Sequence, residues 1–179
     1  MTDPAHQSRE SITSTTTVAE ADRMLSAKAV VVRDTDSLEI LAHLAVAEPT
    51  CRVLSVVDAD RRLLGLVPVR LLVNDIFLKI VPEEFLGAIA DVDAALEYAH
   101  HVAARTARDI MLQPVAVLAE ETVRTAFERM HHSRLNGLPI VDAEDRVIGY
   151  LDQLELLLVW VRSTGRDVLL RPADETNGP

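Results

Sequence analysis

The amino-acid sequence contains one pattern twice, and this duplication restricts most strongly what the chain can fold into. In each copy an apolar run is followed by a short polar break and then by a second apolar run, which predicts a β-hairpin. Three pairs of residues share a separation of 84 positions without a gap: Asp58 and Asp142, Arg62 and Arg146, and Gly65 and Gly149.

Each predicted hairpin is preceded by an amphipathic helix. The apolar residues of both helices follow the spacing i, i+3, i+4, i+7, which places them on one face. They are Leu38, Leu41, Ala42 and Ala45 in the first copy, and Val123, Ala126, Phe127 and Met130 in the second. With a strand before each of these helices, at residues 30–32 and 115–117, and a helix after each hairpin, the sequence predicts a tandem β-α-β-β-α repeat of the α/β (α+β) class.

This order of motifs resembles a tandem pair of cystathionine-β-synthase-type (CBS) domains, the Bateman module. The resemblance covers about residues 18–161 and is carried by residues 109–111 (DIM), 138–142 (LPIVD) and 149–155 (GYLDQLE). It implies that the two repeats pack as a pseudo-twofold pair, that two clefts between them can hold adenine nucleotides, and that the pair forms a homodimer.

The same reasoning divides the chain into five segments. Residues 18–81 and 106–161 are the two predicted CBS repeats, between a disordered tail at 1–17 and a carboxy-terminal tail at 162–179. Residues 82–105 have apolar residues at alternating steps of four and three, which predicts a helical insert with a coiled-coil-like seam. We expect this insert to pack against the sheet edge or within a dimer rather than to offer a surface to a partner.

Composition excludes several classes of function. A net charge of −10 disfavours nucleic-acid binding, which requires clustered Lys and Arg. The single cysteine, Cys51, cannot form an internal disulfide and fits a reducing compartment. We expect no signal peptide, because no basic region is followed by an apolar segment at the amino terminus, and no membrane span. The sequence therefore predicts a cytoplasmic protein.

The sequence also offers little for catalysis. Neighbouring histidines occur at 100–101 and 131–132, but adjacent helical residues point about 100° apart and do not chelate one metal as a pair. A nucleophile elbow and a glycine-rich phosphate loop are both absent from the sequence. We therefore expect no enzyme, no catalytic residue and no metal site.

The resemblance implies a ligand site at the start of the last helix of a repeat. In nucleotide-binding members, a hydroxyl residue there meets phosphate and an acidic residue three positions later meets the ribose hydroxyls. Asp152 and Glu155 occupy these positions in the second repeat, whereas Pro68 and Leu71 in the first repeat can serve neither role. Alternatively, Asp152 and Glu155 only cap the helix.

The remaining candidate ligand residues lie around the entrance to the central strand of each repeat. Arg52 occupies a position that is often basic in phosphate-binding members of the family, and Asn136 occupies the equivalent position in the second repeat. Gly137 allows close approach of a base, and Pro139 belongs to the matching motif. Asn136 and Gly137 could also simply form a turn.

The resemblance that these residues carry implies a regulatory ligand-sensing module. Its ligand would be an adenosine-type molecule such as AMP, bound with Glu155 on the ribose, and its occupancy would be signalled to a partner protein. Because Asp152 repels phosphate, adenosine or a singly phosphorylated or cationic adenosyl ligand should outcompete metal-free ATP. Two alternatives remain open: a ligand-free dimerisation or scaffold module with degenerate pockets, and a divalent-cation sensor that uses Asp152 and Glu155.

Overall fold

The computed structural model describes residues 12–80 and 103–163. Three predictions fall largely or wholly outside these residues: the disordered tail at 1–17, the helical insert at 82–105 and the carboxy-terminal tail at 162–179.

The first repeat follows the predicted order of elements. Ser37 caps its first long helix by accepting a hydrogen bond from the backbone of Ile40 at 3.3 Å. The elements are α1 (Val18–Asp22), β1 (Val31–Arg33), α2 (Leu38–Ala47), β2 (Val53–Val57), β3 (Leu63–Pro68) and α3 (Val69–Ile80). The strands form a sheet in the order β1-β2-β3, parallel between β1 and β2 and antiparallel between β2 and β3.

The second repeat has the same architecture. Its elements are α4 (Ala107–Ile110), β4 (Val117–Leu118), α5 (Val123–Ser133), β5 (Gly137–Val141), β6 (Val147–Asp152) and α6 (Gln153–Ser163). The sheet order is β4-β5-β6 with the same pattern of parallel and antiparallel pairing. The predicted mixed fold of two β-α-β-β-α repeats is therefore confirmed.

The two hairpins meet at equivalent positions. Arg61 and Asp145, which are separated by 84 residues, both have positive φ angles, of 65° and 62°. The backbone N–H of Leu63 donates to Asp145 at 3.0 Å, and that of Val147 donates to Arg61 at 3.1 Å. This reciprocal pair of hydrogen bonds relates the repeats by a pseudo-twofold axis.

The short helices α1 and α4 are exchanged between the repeats. Val18, at the start of α1, donates to the carbonyl oxygen of Glu121 in the second repeat at 2.8 Å. Ala107, at the start of α4, donates to Asp36 in the first repeat at 2.9 Å. Each repeat therefore supplies the segment that completes the other.

One hydrophobic core extends through both repeats. Its fully buried members come from the strands and helices of each copy: Leu41, Leu54, Leu66, Met130, Leu138, Tyr150 and Leu156. The central strands β2 and β5 are buried at every residue, because each sheet is covered on both faces. Within the described residues, the structure contains no helix that is long and apolar enough to cross a membrane.

The amino-terminal segment departs from the predicted boundary at residue 17. Thr16 accepts a backbone hydrogen bond from Val123, at the start of α5, at 2.9 Å. The side chain of Thr17 caps α1 and forms a capping box with Glu20. Residues 12–17 are thus structured, because they satisfy donors at the starts of two helices.

Neighbouring elements approach both hairpin glycines closely, but the atoms that a side chain would meet differ between Gly65 and Gly149. A Cβ atom on Gly65 would lie 2.7 Å from the backbone oxygen of Leu112, which exchanges two hydrogen bonds with Leu66. A Cβ atom on Gly149 would instead meet side-chain atoms, the Cδ1 of Ile140 at 3.0 Å and the carboxylate of Asp22 at 3.1 Å. Side chains yield more easily than a hydrogen-bonded backbone.

We therefore expect Gly65→Ala to lower the free energy of unfolding by about 1–3 kcal/mol, the usual cost of overpacking. Gly149→Ala should lower it by less, since Ile140 and Asp22 can move. Urea unfolding of both variants measures the difference. An equal loss for the two variants would contradict this account of the two glycines.

Candidate functional site

Arg52 lies at the junction of three clefts. The helical groove, of about 780 Å³, runs between α5 and α6. The first cleft, of about 540 Å³, lies at the start of α3. The second cleft, of about 510 Å³, lies at the start of α6. Arg52 precedes β2 and lines all three.

Asp152 is the last residue of β6 and holds the start of α6. Its Oδ1 atom accepts hydrogen bonds from the backbone of Leu154 at 2.9 Å and of Glu155 at 3.1 Å. This is an N-terminal helix cap, so the capping alternative is right for Asp152, whereas the carboxylate of Glu155 binds outside the helix.

The second oxygen of Asp152 faces Arg52. Oδ2 is buried and lies 3.3 Å from Nε of Arg52, but the two atoms do not meet hydrogen-bond geometry. We therefore treat the contact as an ion pair without a hydrogen bond. The side chain of Asp152 is 3% exposed and that of Arg52 is 44% exposed, so water still reaches the arginine. A buried carboxylate requires such compensation, since an unpaired charge is costly to bury.

Glu155 is bound to the segment that leads into β1. Its Oε2 atom accepts from the backbone of Ser26 at 3.0 Å and of Ala27 at 2.8 Å, and Oε1 accepts from the hydroxyl of Ser26. A carboxylate offers about four acceptor sites, and these three donors occupy most of them. Glu155 therefore joins the last helix of the second repeat to the entry of the first repeat.

Three of the sequence-predicted residues lie together in the second cleft: Arg52, Asp152 and Glu155. Asn136 lines the helical groove and the first cleft, and its carbonyl oxygen accepts from Gln153 at 2.9 Å. Gly137 and Pro139 are buried in β5 and line none of these three clefts.

Two arginines of the first cleft were not predicted from the sequence. Arg70, in the first turn of α3, and Arg134, which ends α5 with a φ of 53°, line this cleft together with Arg52. Within residues 12–80 and 103–163, neither Arg70 nor Arg134 forms an ion pair. In sequence they are indistinguishable from ordinary surface arginines, and only the fold brings them to one cleft.

Two side chains that the sequence offers for catalysis or metal binding, Cys51 and His132, both contact backbone carbonyl oxygens. Burial raises the pKa of the Cys51 thiol, whose sulfur donates to the carbonyl of Val53 at 3.2 Å, and this disfavours the reactive thiolate. In the described part of the chain, no group of three His, Cys, Asp or Glu residues lies close enough to hold a metal ion. His132 contacts the carbonyl oxygen of Glu128 in its own helix at 2.6 Å.

Comparison with known proteins agrees with this architecture. A model of the CBS domain family matches residues 107–161. No curated protein matches the chain.

Several solved structures share the fold. A CBS domain-containing protein from Thermotoga maritima is 24% identical, with a TM-score of 0.62 over 80% of this chain and 93% of its own. The CBS-pair protein CBSX2 from Arabidopsis thaliana, solved in complex with AMP, is 18% identical, with a TM-score of 0.60 over 83% and 98% of the two chains.

A third solved structure is the CBS domain pair of protein MJ0100, in complex with 5′-methylthioadenosine and S-adenosyl-L-methionine. It is 17% identical, with a TM-score of 0.58 over 81% of this chain and 95% of its own. Residues 107–161 are therefore a CBS domain, and the chain has the fold of a tandem CBS pair.

Proposed function

We propose that this chain is a regulatory module that binds an adenosine-containing ligand in the second cleft and signals its occupancy to a partner protein in the cytoplasm. Structural relatives with AMP, 5′-methylthioadenosine or S-adenosyl-L-methionine in their complexes support this class of ligand. The role is regulatory rather than catalytic, because the described residues that line the cleft supply binding groups and no activated nucleophile.

The observation that carries the proposal is the composition of the second cleft. One side is apolar and comes from α6, with Leu154, Leu157 and Leu158. The other side is polar and comes from both repeats, with Arg52 and Asp152. An apolar surface for a base beside a few placed polar groups is the usual form of a small-molecule site, and about 510 Å³ is within the usual size.

The contacts of Glu155 limit how a ribose could bind to it. Its carboxylate already accepts from Ser26 and Ala27, so a ribose hydroxyl would use the remaining acceptor site or displace one of these donors. We propose that the ribose hydroxyls bind beside this junction. Ligand binding would then tighten or loosen the contact between the two repeats.

The charges of the cleft favour a ligand with few phosphates. Two unit charges about 5 Å apart at an effective dielectric of 20 repel by roughly 3 kcal/mol, so Asp152 opposes a phosphate at the start of α6. The favourable interaction of a phosphate with the helix amino terminus contributes only about 0.3–1 kcal/mol. Arg52 offsets part of this repulsion, but a phosphate has to compete with Asp152 for it. Adenosine, AMP or a cationic adenosyl ligand should therefore bind better than metal-free ATP.

A ligand screen tests the proposed function. We expect one of adenosine, AMP, 5′-methylthioadenosine or S-adenosylmethionine to raise the melting temperature, since a ligand at 100 times its Kd adds about 2.7 kcal/mol to the free energy of unfolding. ADP, ATP, NAD and divalent cations complete the panel. If only divalent cations stabilise the protein, the cation-sensor alternative replaces this proposal.

Substitution of Asp152 tests the charge argument. Asp152→Thr should strengthen AMP binding by about tenfold, equivalent to about 1.4 kcal/mol, while the affinity for adenosine changes little. The substitution removes a negative charge, frees Arg52 for the phosphate and keeps a hydroxyl that can cap α6. Calorimetry on the wild type and the variant measures both affinities. Tight binding of metal-free ATP that the substitution leaves unaltered would place the phosphate elsewhere.

The second candidate function is a ligand-free homodimerisation or scaffold module. The observation in its favour is the apolar surface left exposed on the helices: Val73 on α3 is 56% exposed and Leu157 on α6 is 51% exposed. We propose that a second copy of the chain covers this surface in either case. A stable interface should bury on the order of 1,200 Å² or more.

Light scattering at micromolar concentration should give the mass of a homodimer. Val73→Glu should shift the protein toward the monomer, because it places a charge in the proposed interface and Val73 lines none of the three clefts. Ile148→Glu is the matched control, since Ile148 is 56% exposed but lies on β6 near the hairpin turn. A monomer mass for the wild type would reject the homodimer.

A further inference from the structure

Tyr150 contacts Arg52 from the opposite repeat. The phenol is fully buried in β6, and its Oη atom accepts a hydrogen bond from the backbone N–H of Arg52 at 3.1 Å. Burial raises the pKa of this phenol, so the hydroxyl stays protonated. The contact spans 98 positions of the sequence.

The space for this hydroxyl exists only because residue 137 is glycine. A Cβ atom on Gly137 would lie 2.1 Å from Oη of Tyr150 and 2.6 Å from its Cζ. The equivalent positions of the first repeat hold Val53 and Leu66, which offer neither the space nor the hydroxyl. Gly137 and Tyr150 therefore occur as a pair in the second repeat alone. The phenol accepts a hydrogen bond from Arg52, whereas Asn136, the residue equivalent to Arg52, has no tyrosine at the matching position.

Tyr150 and Asp152 act on Arg52 from one strand. Residues two apart in a strand point to the same face, so the phenol and the carboxylate lie side by side on β6. The phenol holds the backbone of Arg52 and the carboxylate pairs with its side chain. The carbonyl of Arg52 accepts from Val69 at 2.9 Å, which fixes the backbone on its other side.

We propose that Tyr150 is a positioning residue that sets the selectivity of the second cleft through Arg52. This inference rests on the function proposed above, in which an adenosyl ligand occupies that cleft. Arg52 is the cation that lines the cleft in the described part of the chain, and it recognises a ligand phosphate only while its backbone is held. Removal of the hydroxyl leaves the apolar side for the base intact and loosens the one group that distinguishes AMP from adenosine.

The test is Tyr150→Phe, which removes the hydroxyl and keeps the ring. Calorimetry should give an AMP affinity that falls about threefold to tenfold, with an adenosine affinity that changes by less than about twofold. In an Arg52→Ala background the same substitution should leave the ratio of the two affinities unaltered. Leu66→Met is the matched control, because it perturbs the equivalent buried position of the first repeat without touching a hydroxyl. Equal losses for AMP and adenosine would overturn the proposal.

A second measurement needs no ligand. Amide hydrogen exchange in Tyr150→Phe should accelerate at Arg52 by about tenfold or more, because its N–H loses an acceptor. Gln153 is the reference amide, because its N–H donates to the backbone carbonyl of Asn136, as that of Val69 donates to Arg52 in the first repeat. Its exchange rate should stay close to that of the wild type. An unaltered rate at Arg52, or equal acceleration at both amides, would overturn the positioning role. If the wild type binds none of adenosine, AMP, 5′-methylthioadenosine and S-adenosylmethionine, the proposed function fails, and the exchange rates alone decide whether Tyr150 holds the backbone of Arg52.

Discussion

Each repeat has a three-stranded sheet whose central strand is buried at every residue, and this constraint makes the two repeats depend on each other. Strands β2 and β5 are buried along their whole length and contact each other across the pair. The exchange of α1 and α4 has the same consequence for the backbone. Val18 and Ala107 find their acceptors only across the pair, which makes the module a single folding unit.

Duplication would give two identical clefts, and the functional interest lies where the copies differ. The start of α3 has Pro68, which has no polar side chain, whereas the start of α6 has Asp152 as a charged cap. As a result the first cleft gathers Arg52, Arg70 and Arg134, whereas the second combines one arginine with two carboxylates. A symmetric backbone thus carries two different electrostatic environments.

The sequence was sufficient for the fold because the repeat spacing aligns equivalent positions without any structural knowledge. It predicted the hairpins and the helices α2 and α5. It could not predict the partners of the polar side chains in the second cleft. Glu155 meets Ser26 across 129 positions and Arg52 meets Asp152 across the pair, and no local periodicity encodes such contacts. Family resemblance suggested a ligand for these groups, whereas the fold already supplies protein partners for most of them.

The contacts of Asp152 and Glu155 provide a route by which a ligand in the second cleft could affect the exposed surface of α6. The Asp152 carboxylate holds two N–H groups at the start of α6, and Glu155, one turn on, holds the segment that enters β1. A molecule in the second cleft would compete for these same atoms, and any shift of α6 would move Leu157, which lies on its exposed apolar surface. An effect at one site becomes regulation only when a second state differs in its contacts. In this chain, the capped start of α6 and its exposed apolar surface belong to one helix, so cleft and surface cannot change independently.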